Sequence, residues 1–331
     1  MSNKMEAVKA PSKFDWKKFI SNNTAIIAFI VLFILAAIFR GQTFLKPSNL
    51  IGVLRNNSII GIVSLGMTLV IIVGGIDLSV GSQLAITGLI ALTVFNATQS
   101  ILLTILTAVI VGVILGSCTG FLVARFNIPA FIVTLGTMTI YRSVAQQLFK
   151  GAGLVAAGDR AKAFTNIANY NLFGVIPLPI IIWLILSVAV SLFTSHTSAG
   201  RHIYAVGSNE KATKLSGINI RTVKIIAFMV SGILVALASL VEASRLGSIN
   251  SANSGSSYEM DAIAAVVIGG TSMSGGRGRI VGTVFGTLTI GIINNMMTLM
   301  GVPPFLVGAV KGLIIIVSVL LQKRLDTKEA A

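Results

Sequence analysis

Acidic side chains are scarce in this chain. Ten Asp and Glu stand against 25 Lys and Arg in 331 residues, giving a formal charge of +15, and charged residues of both signs total only 11%. Soluble globular domains carry about 25% charged residues, so this composition excludes a water-soluble fold. Cysteine is nearly absent as well: Cys118 is alone, which excludes an intrachain disulfide, and within an apolar run it reads as a small packing residue. His196 and His202 are the two histidines, and no cysteine or carboxylate cluster joins them at ligand spacing, so no metal site is expected. With two Trp and four Tyr, a dense aromatic platform for stacking sugar rings is not expected either. No polar stretch is long enough for a separate soluble domain.

What fills the chain instead is apolar: 54% of residues, in continuous runs of Leu, Ile, Val and Ala. A bilayer core takes roughly 20 such residues per helix. A membrane barrel would show short alternating segments. The sequence therefore predicts an all-α polytopic membrane protein of about ten transmembrane helices. They fall near 24–39, 53–75, 78–96, 101–124, 129–148, 174–194, 223–243, 259–274, 280–300 and 304–321. A basic N-terminal segment, 1–20, precedes a permease domain over 21–322, and a short tail, 323–331, follows. The first span is read as a retained helix, without a cleavage pattern after it. Placing both termini in the cytoplasm puts sixteen Lys and Arg inside and seven outside. That bias gives the net charge a topological origin, with the lipid bilayer as partner and no nucleic acid.

Two short strings recur in the same order. Gly74-Gly75-Ile76-Asp77-Leu78-Ser79-Val80-Gly81 is echoed by Gly269-Gly270-Thr271-Ser272-Met273-Ser274-Gly275-Gly276, and Ile128-Pro129-Ala130-Phe131 by Val302-Pro303-Pro304-Phe305. A diluted repeat of this kind, with halves at about 51–150 and 245–321 and helices broken at glycine-rich strings, is the layout of a transporter. Span counting sets both glycine strings inside but the two Pro-x-Phe strings on opposite sides, so an inverted and a parallel relation both stay open. Gly74, Gly75, Gly269 and Gly270, with Asp77, Ser79, Ser272 and Ser274, are candidates for the translocation pathway or gate. Close helix packing through small residues, and capping of the third span by Asp77, are the plainer alternatives.

An ionised side chain at the bilayer centre costs about 2.5–3.5 kcal/mol on insertion scales, so carboxylates near spans are informative. Glu242 and Arg245 sit one helical turn apart near the outer end of the seventh span, as an interfacial couple or a docking contact. Glu259 and Asp261 flank Met260 and point apart on a helix, to cap the eighth span or to join an outer docking surface.

The polar segment 196–224 carries a compact helix signal. Ser208 and Asn209 suit an N-cap, Glu210 the first turn, and Gly217 the C-terminal stop, with Ala212, Thr213 and Ser216 between them. No phosphate-gripping loop exists in the chain: Gly270 to Arg277 lacks the Gly-Lys-Ser/Thr ending. Any ATP that powers transport is therefore hydrolysed by another subunit.

Gly207-Ser208-Asn209-Glu210-Lys211-Ala212-Thr213-Lys214-Leu215-Ser216-Gly217-Ile218 resembles the coupling loop of sugar-importing permeases of the ATP-binding-cassette class. Tyr258-Glu259-Met260-Asp261-Ala262-Ile263-Ala264-Ala265-Val266-Val267-Ile268-Gly269-Gly270-Thr271-Ser272 matches the same family, and the string from Gly74 to Gly81 completes the set. The resemblance covers about 45–321 and is strongest to the ribose branch of the ribose/xylose/arabinose/galactoside type. It implies a homodimer in a bacterial inner membrane, a cytoplasmic ATPase pair holding ATP and Mg, and a periplasmic or surface-tethered sugar-binding protein. It also implies that 207–218 receives the ATPase stroke, that a small sugar such as a pentose is the solute, and that this chain itself is no enzyme. The rival expectation is an ion-coupled secondary transporter using Asp77, Glu242, Glu259 or Asp261.

Overall fold

The computed structural model describes residues 23–329, so segment 1–20 lies outside the described residues. The chain is helical almost throughout: α1 (Thr24–Phe44), α2 (Pro47–Ile72), α3 (Val80–Thr98), α4 (Ile101–Phe126), α5 (Ala130–Leu148), α6 (Ala161–Asn169), α7 (Leu178–His196), α8 (Ser198–Ser208), α9 (Glu210–Leu215), α10 (Ile220–Leu246), α11 (Tyr258–Ile268), α12 (Ile280–Leu299) and α13 (Pro304–Glu329). Two small antiparallel ribbons sit in loops, β1 (Gly153–Val155) with β4 (Ser248–Asn250) and β2 (Asn171–Leu172) with β3 (Ile176–Pro177). The expected tail is described as far as Glu329, where it is the end of α13.

Among the described residues seven helices, α1 to α4, α7, α10 and α12, are long and apolar enough to cross a membrane, against the ten expected. The three differences have separate causes. Helix α5 is long, but Thr134, Thr137, Thr139, Arg142, Gln146 and Gln147 dilute its hydropathy. In α13 the apolar stretch is confined to Leu306–Val317. Helix α11 has 11 residues, about 16 Å at 1.5 Å per residue, half a bilayer core. The apolar run at 259–274 is thus a half-length helix followed by a glycine loop.

Helices α2 and α10 form the centre. Nearly every residue of α2 from Asn57 onward is buried, and α10 packs most extensively on α4 and then on α2. Small residues allow this. Gly112, Gly116 and Gly120 recur every fourth residue on α4, and a methyl group on Gly112 or Gly116 would stand 2.5 Å from the Gly232 or Phe228 carbonyl oxygen of α10. Without a hydrophobic force between helices in lipid, such close backbone approach supplies the dispersion contact that binds them. Buried hydroxyls bond inward: Thr68 Oγ1 donates to the Ser64 carbonyl at 2.7 Å and lies 2.7 Å from Thr283 Oγ1 of α12.

The bundle has two distinct ends. At one lie the start of α2, the finish of α10 and the ribbons, fastened by Asn49 and Asn295 at 3.0 Å and by Ser244 Oγ donating to the Phe164 carbonyl at 2.6 Å. At the other lie the finish of α2, the start of α10 and the α8–α9 pair. Both glycine strings are at this second end, whereas the Pro-x-Phe strings start α5 and α13 at opposite ends, as span counting set them.

Candidate functional site

The α8–α9 pair is built from local chemistry that the sequence announces. Asn209 adopts extended backbone, and its side-chain oxygen accepts from the Ala212 N–H at 2.9 Å, capping α9. Ser208, the other cap candidate, closes α8 instead. At the far end Gly217 takes a left-handed φ of +80°; its N–H reaches the Lys214 carbonyl at 3.0 Å, and that of Ile218 the Thr213 carbonyl at 3.4 Å. This pairing satisfies the carbonyls a helix leaves orphaned at its end. Thr213 is buried, and its hydroxyl donates to the Ala205 carbonyl at 2.8 Å, which locks α9 onto α8. Glu210 pairs with Lys224 of α10 at 2.9 Å. Ala212 and Ser216 are exposed.

Leu215 is 89% exposed, in a helix otherwise polar on its outer side. The signal available in the sequence was a single leucine among Glu, Lys and Ser on a two-turn helix.

The seat of this pair is the decisive geometry. Gly207 stands over the last turn of α2: a methyl group there would overlap the Ile72 carbonyl oxygen and lie 2.6 Å from the Gly276 nitrogen. The Gly276 N–H donates to that same Ile72 carbonyl at 2.9 Å. Gly276, with φ +72°, lies against Ser208, where an added Cβ would be 2.5 Å from Cα. Tyr204 of α8 donates to the Gly278 carbonyl at 2.9 Å. Burial raises the tyrosine's pKa above its ordinary range, so the phenol stays a donor. Three backbones therefore meet without intervening side chains: the α8 end, the α2 end and the loop between α11 and α12.

Both glycine strings begin as helix stops. The Gly74 N–H bonds to the Ile71 carbonyl and that of Gly75 to Val70; the Gly270 N–H bonds to Val267 and that of Thr271 to Val266. Gly74 and Gly270 carry the positive φ, +89° and +83°. The two strings share a structural device, but offset by one residue, since the sequence pairs Gly74 with Gly269. Gly269 has an ordinary φ and packs instead on Gly282 of α12.

Asp77 is 1% exposed, and its carboxylate accepts from the Ser79 N–H at 2.9 Å and the Ser79 hydroxyl at 2.6 Å. It closes the turn before α3, while Ser79 occupies the cap position. Ser272 Oγ and Ser274 Oγ are 2.8 Å apart within the α11–α12 loop.

Of the docking candidates Glu242, Arg245, Glu259 and Asp261, the three carboxylates are 3%, 8% and 4% exposed, respectively. Asp261 is ion-paired with Lys311 of α13 at 2.8 Å. Glu259 lies against Gly81, and Arg142 donates to the Ser251 and Ser254 carbonyls at 3.0 and 2.9 Å, holding the loop before α11. Arg245 alone of the four reaches partial exposure. Among the described residues no three His, Cys, Asp or Glu side chains gather as a metal site.

Comparison with known proteins agrees with the geometry of a transport subunit. The family model described as branched-chain amino acid transport system / permease component matches residues 49–319. The ribose import permease protein of Haemophilus influenzae is 40% identical over 319 residues, covering 96% of this chain and 98% of its own. That of Bacillus subtilis is 40% identical over 298 residues, covering 89% and 92%. The fructose import permease protein of Bifidobacterium longum is 33% identical over 331 residues, covering 97% and 96%. No solved structure matches the chain.

Proposed function

The chain belongs to the family of transport-system permease components that includes the bacterial ribose import permeases, and from that premise we propose that ribose or a related pentose is its solute. It is a membrane permease subunit of an ATP-binding-cassette sugar importer. In the proposed assembly two copies form one pathway in the bacterial inner membrane, with both termini and the α8–α9 end in the cytoplasm. A separate ATPase docks on α9 around Leu215, and a binding protein delivers sugar at the opposite end. Helices α5 and α13, with the half-length α11 and its glycine loop, complete the ten membrane segments.

The observation that carries the mechanism is the seat of α8–α9 on the ends of α2 and the α11–α12 loop. A push on α9 has no compliant side chains to deform there, so it moves the ends of α2 and α11 together. Those helices stop at Gly74 and Gly270, where positive φ lets the chain turn without strain. The glycine strings are then the hinges of a gate, and alternating access follows from two packings of these helix ends.

An ion-coupled carrier finds no support. Asp77 is engaged by Ser79 and Asp261 by Lys311. The test is uptake of labelled sugars into proteoliposomes holding the permease, its ATPase and its binding protein. ATP-dependent uptake of a pentose, unaffected by an ionophore, is expected. Uptake that collapses with the ion gradient at constant ATP would refute it.

A further inference from the structure

Beside the α8–α9 pair, two cavities adjoin and share Asn127, Glu210 and Lys224. Both linings mix polar and apolar surface. The first, about 290 Å³, includes the side chains of Val123, Ile128, Pro129 and Phe228 beside the Gly74–Gly75 backbone. The second, about 360 Å³, holds Lys214, Arg221 and Lys224 against the one carboxylate of Glu210. Glu210 is already paired with Lys224, and among the described residues no carboxylate pairs with Lys214 or Arg221. The combined groove is amphipathic, with an excess of two positive charges at its polar end.

The flanking surfaces of α4 and α5 expose Phe121, Phe126, Phe131 and Ile132 to an extent that a water-facing surface of a membrane protein would not. Exposed apolar side chains of α4 and α5 thus adjoin the segment that lines the first cavity, and Lys214 and Arg221 line the second.

We propose that this groove binds an anionic phospholipid, its phosphate among Lys214, Arg221 and Lys224 and an acyl chain along α4 and α5. Basic pockets between membrane helices at the cytoplasmic face suit such headgroups. The occupant touches Gly74–Gly75 and Glu210, so the lipid bears on the proposed hinge and on α9 at once. The proposal rests on the cytoplasmic placement of this end, but binding is measured on the permease alone, so failure of ATPase coupling leaves it untouched.

The test is lipid retention by the purified full-length chain, read by native mass spectrometry after exchange into phosphatidylglycerol, cardiolipin or phosphatidylcholine. Retention of the two anionic lipids and not of phosphatidylcholine is expected. Lys214→Gln with Arg221→Gln is expected to lower retention about thirty-fold, the effect of removing two cationic contacts to an anionic headgroup. Both side chains are exposed, and the charge-preserving pair Lys214→Arg with Arg221→Lys should retain lipid and so separates lost charge from lost fold. Equal retention by the neutral variant, or of phosphatidylcholine, would overturn the proposal. Displacement by millimolar inorganic phosphate would make the groove a free-anion site, and displacement by the ATPase subunit a protein contact; either also overturns it.

Discussion

Replacing Gly207 with alanine presses one methyl group into the last turn of α2. The added carbon overlaps the Ile72 carbonyl oxygen and stands 2.6 Å from the Gly276 nitrogen, and both contacts are backbone, so no side chain can rotate aside. Relief requires α8 to rise or the α11–α12 loop to withdraw. Overpacking of this kind costs about 1–3 kcal/mol. Withdrawal also breaks the 2.9 Å bond from Gly276 to Ile72, worth about 0.5–1.5 kcal/mol net. The expected penalty is about 2–4 kcal/mol on the seated arrangement, enough to depopulate it by a factor of thirty or more. Sugar-stimulated ATPase activity of the reconstituted importer should fall by at least ten-fold, while membrane insertion persists. Gly52→Ala is the control: nothing lies within 4 Å of an added methyl there, so no effect is expected. A Gly207→Ala permease with unchanged coupling and melting temperature would refute a rigid backbone contact as the transmission element.

Further expectations follow from the other contacts. Leu215→Asp should leave the fold intact, because the side chain is exposed, yet weaken capture of the ATPase subunit at least ten-fold, since an apolar anchor is worth about 1.5–3 kcal/mol on burial; a titration of labelled ATPase reads this. Asp261→Ala should destabilise by about 3–5 kcal/mol by stranding Lys311 among packed helices, whereas Asp261→Leu with Lys311→Met should recover most of the loss; thermal melts in detergent distinguish the two. Asn209→Ala removes the cap of α9 and should cost about 1 kcal/mol locally, seen as faster amide exchange over 210–215 without a shift in global melting.

Much of this site was legible because it is local. The Asn209 cap, the Glu210 first turn and the Gly217 stop follow from side-chain chemistry within nine residues, and the structure forms each one. The helix stops at Gly74 and Gly270 were legible as breaks for the same reason. What pattern could not convey were contacts across the chain. Nothing in the run from Tyr258 to Ser274 distinguishes a full span from an 11-residue helix and a loop, because apolarity continues through the glycines. The Asp261 partner, Lys311, lies fifty residues away, beyond the reach of any local pattern. The union of Gly207, the Ile72 carbonyl and Gly276 joins three segments far apart in the chain, and only the two glycines hinted at close approach. Nothing local marks Leu215 as outward-facing, because exposure is a tertiary property.

The proposed mechanism requires the ATPase to engage the α8–α9 end of the bundle. The free thiol of Cys118 is exposed and is first removed as Cys118→Ser. Single cysteines are then introduced as Leu215→Cys on α9 and Phe173→Cys at the opposite end, each with a short bifunctional crosslinker and the ATPase subunit in native membranes. A permease–ATPase adduct from Leu215→Cys and none from Phe173→Cys is the predicted result. An adduct from Phe173→Cys, with none from Leu215→Cys, would contradict it.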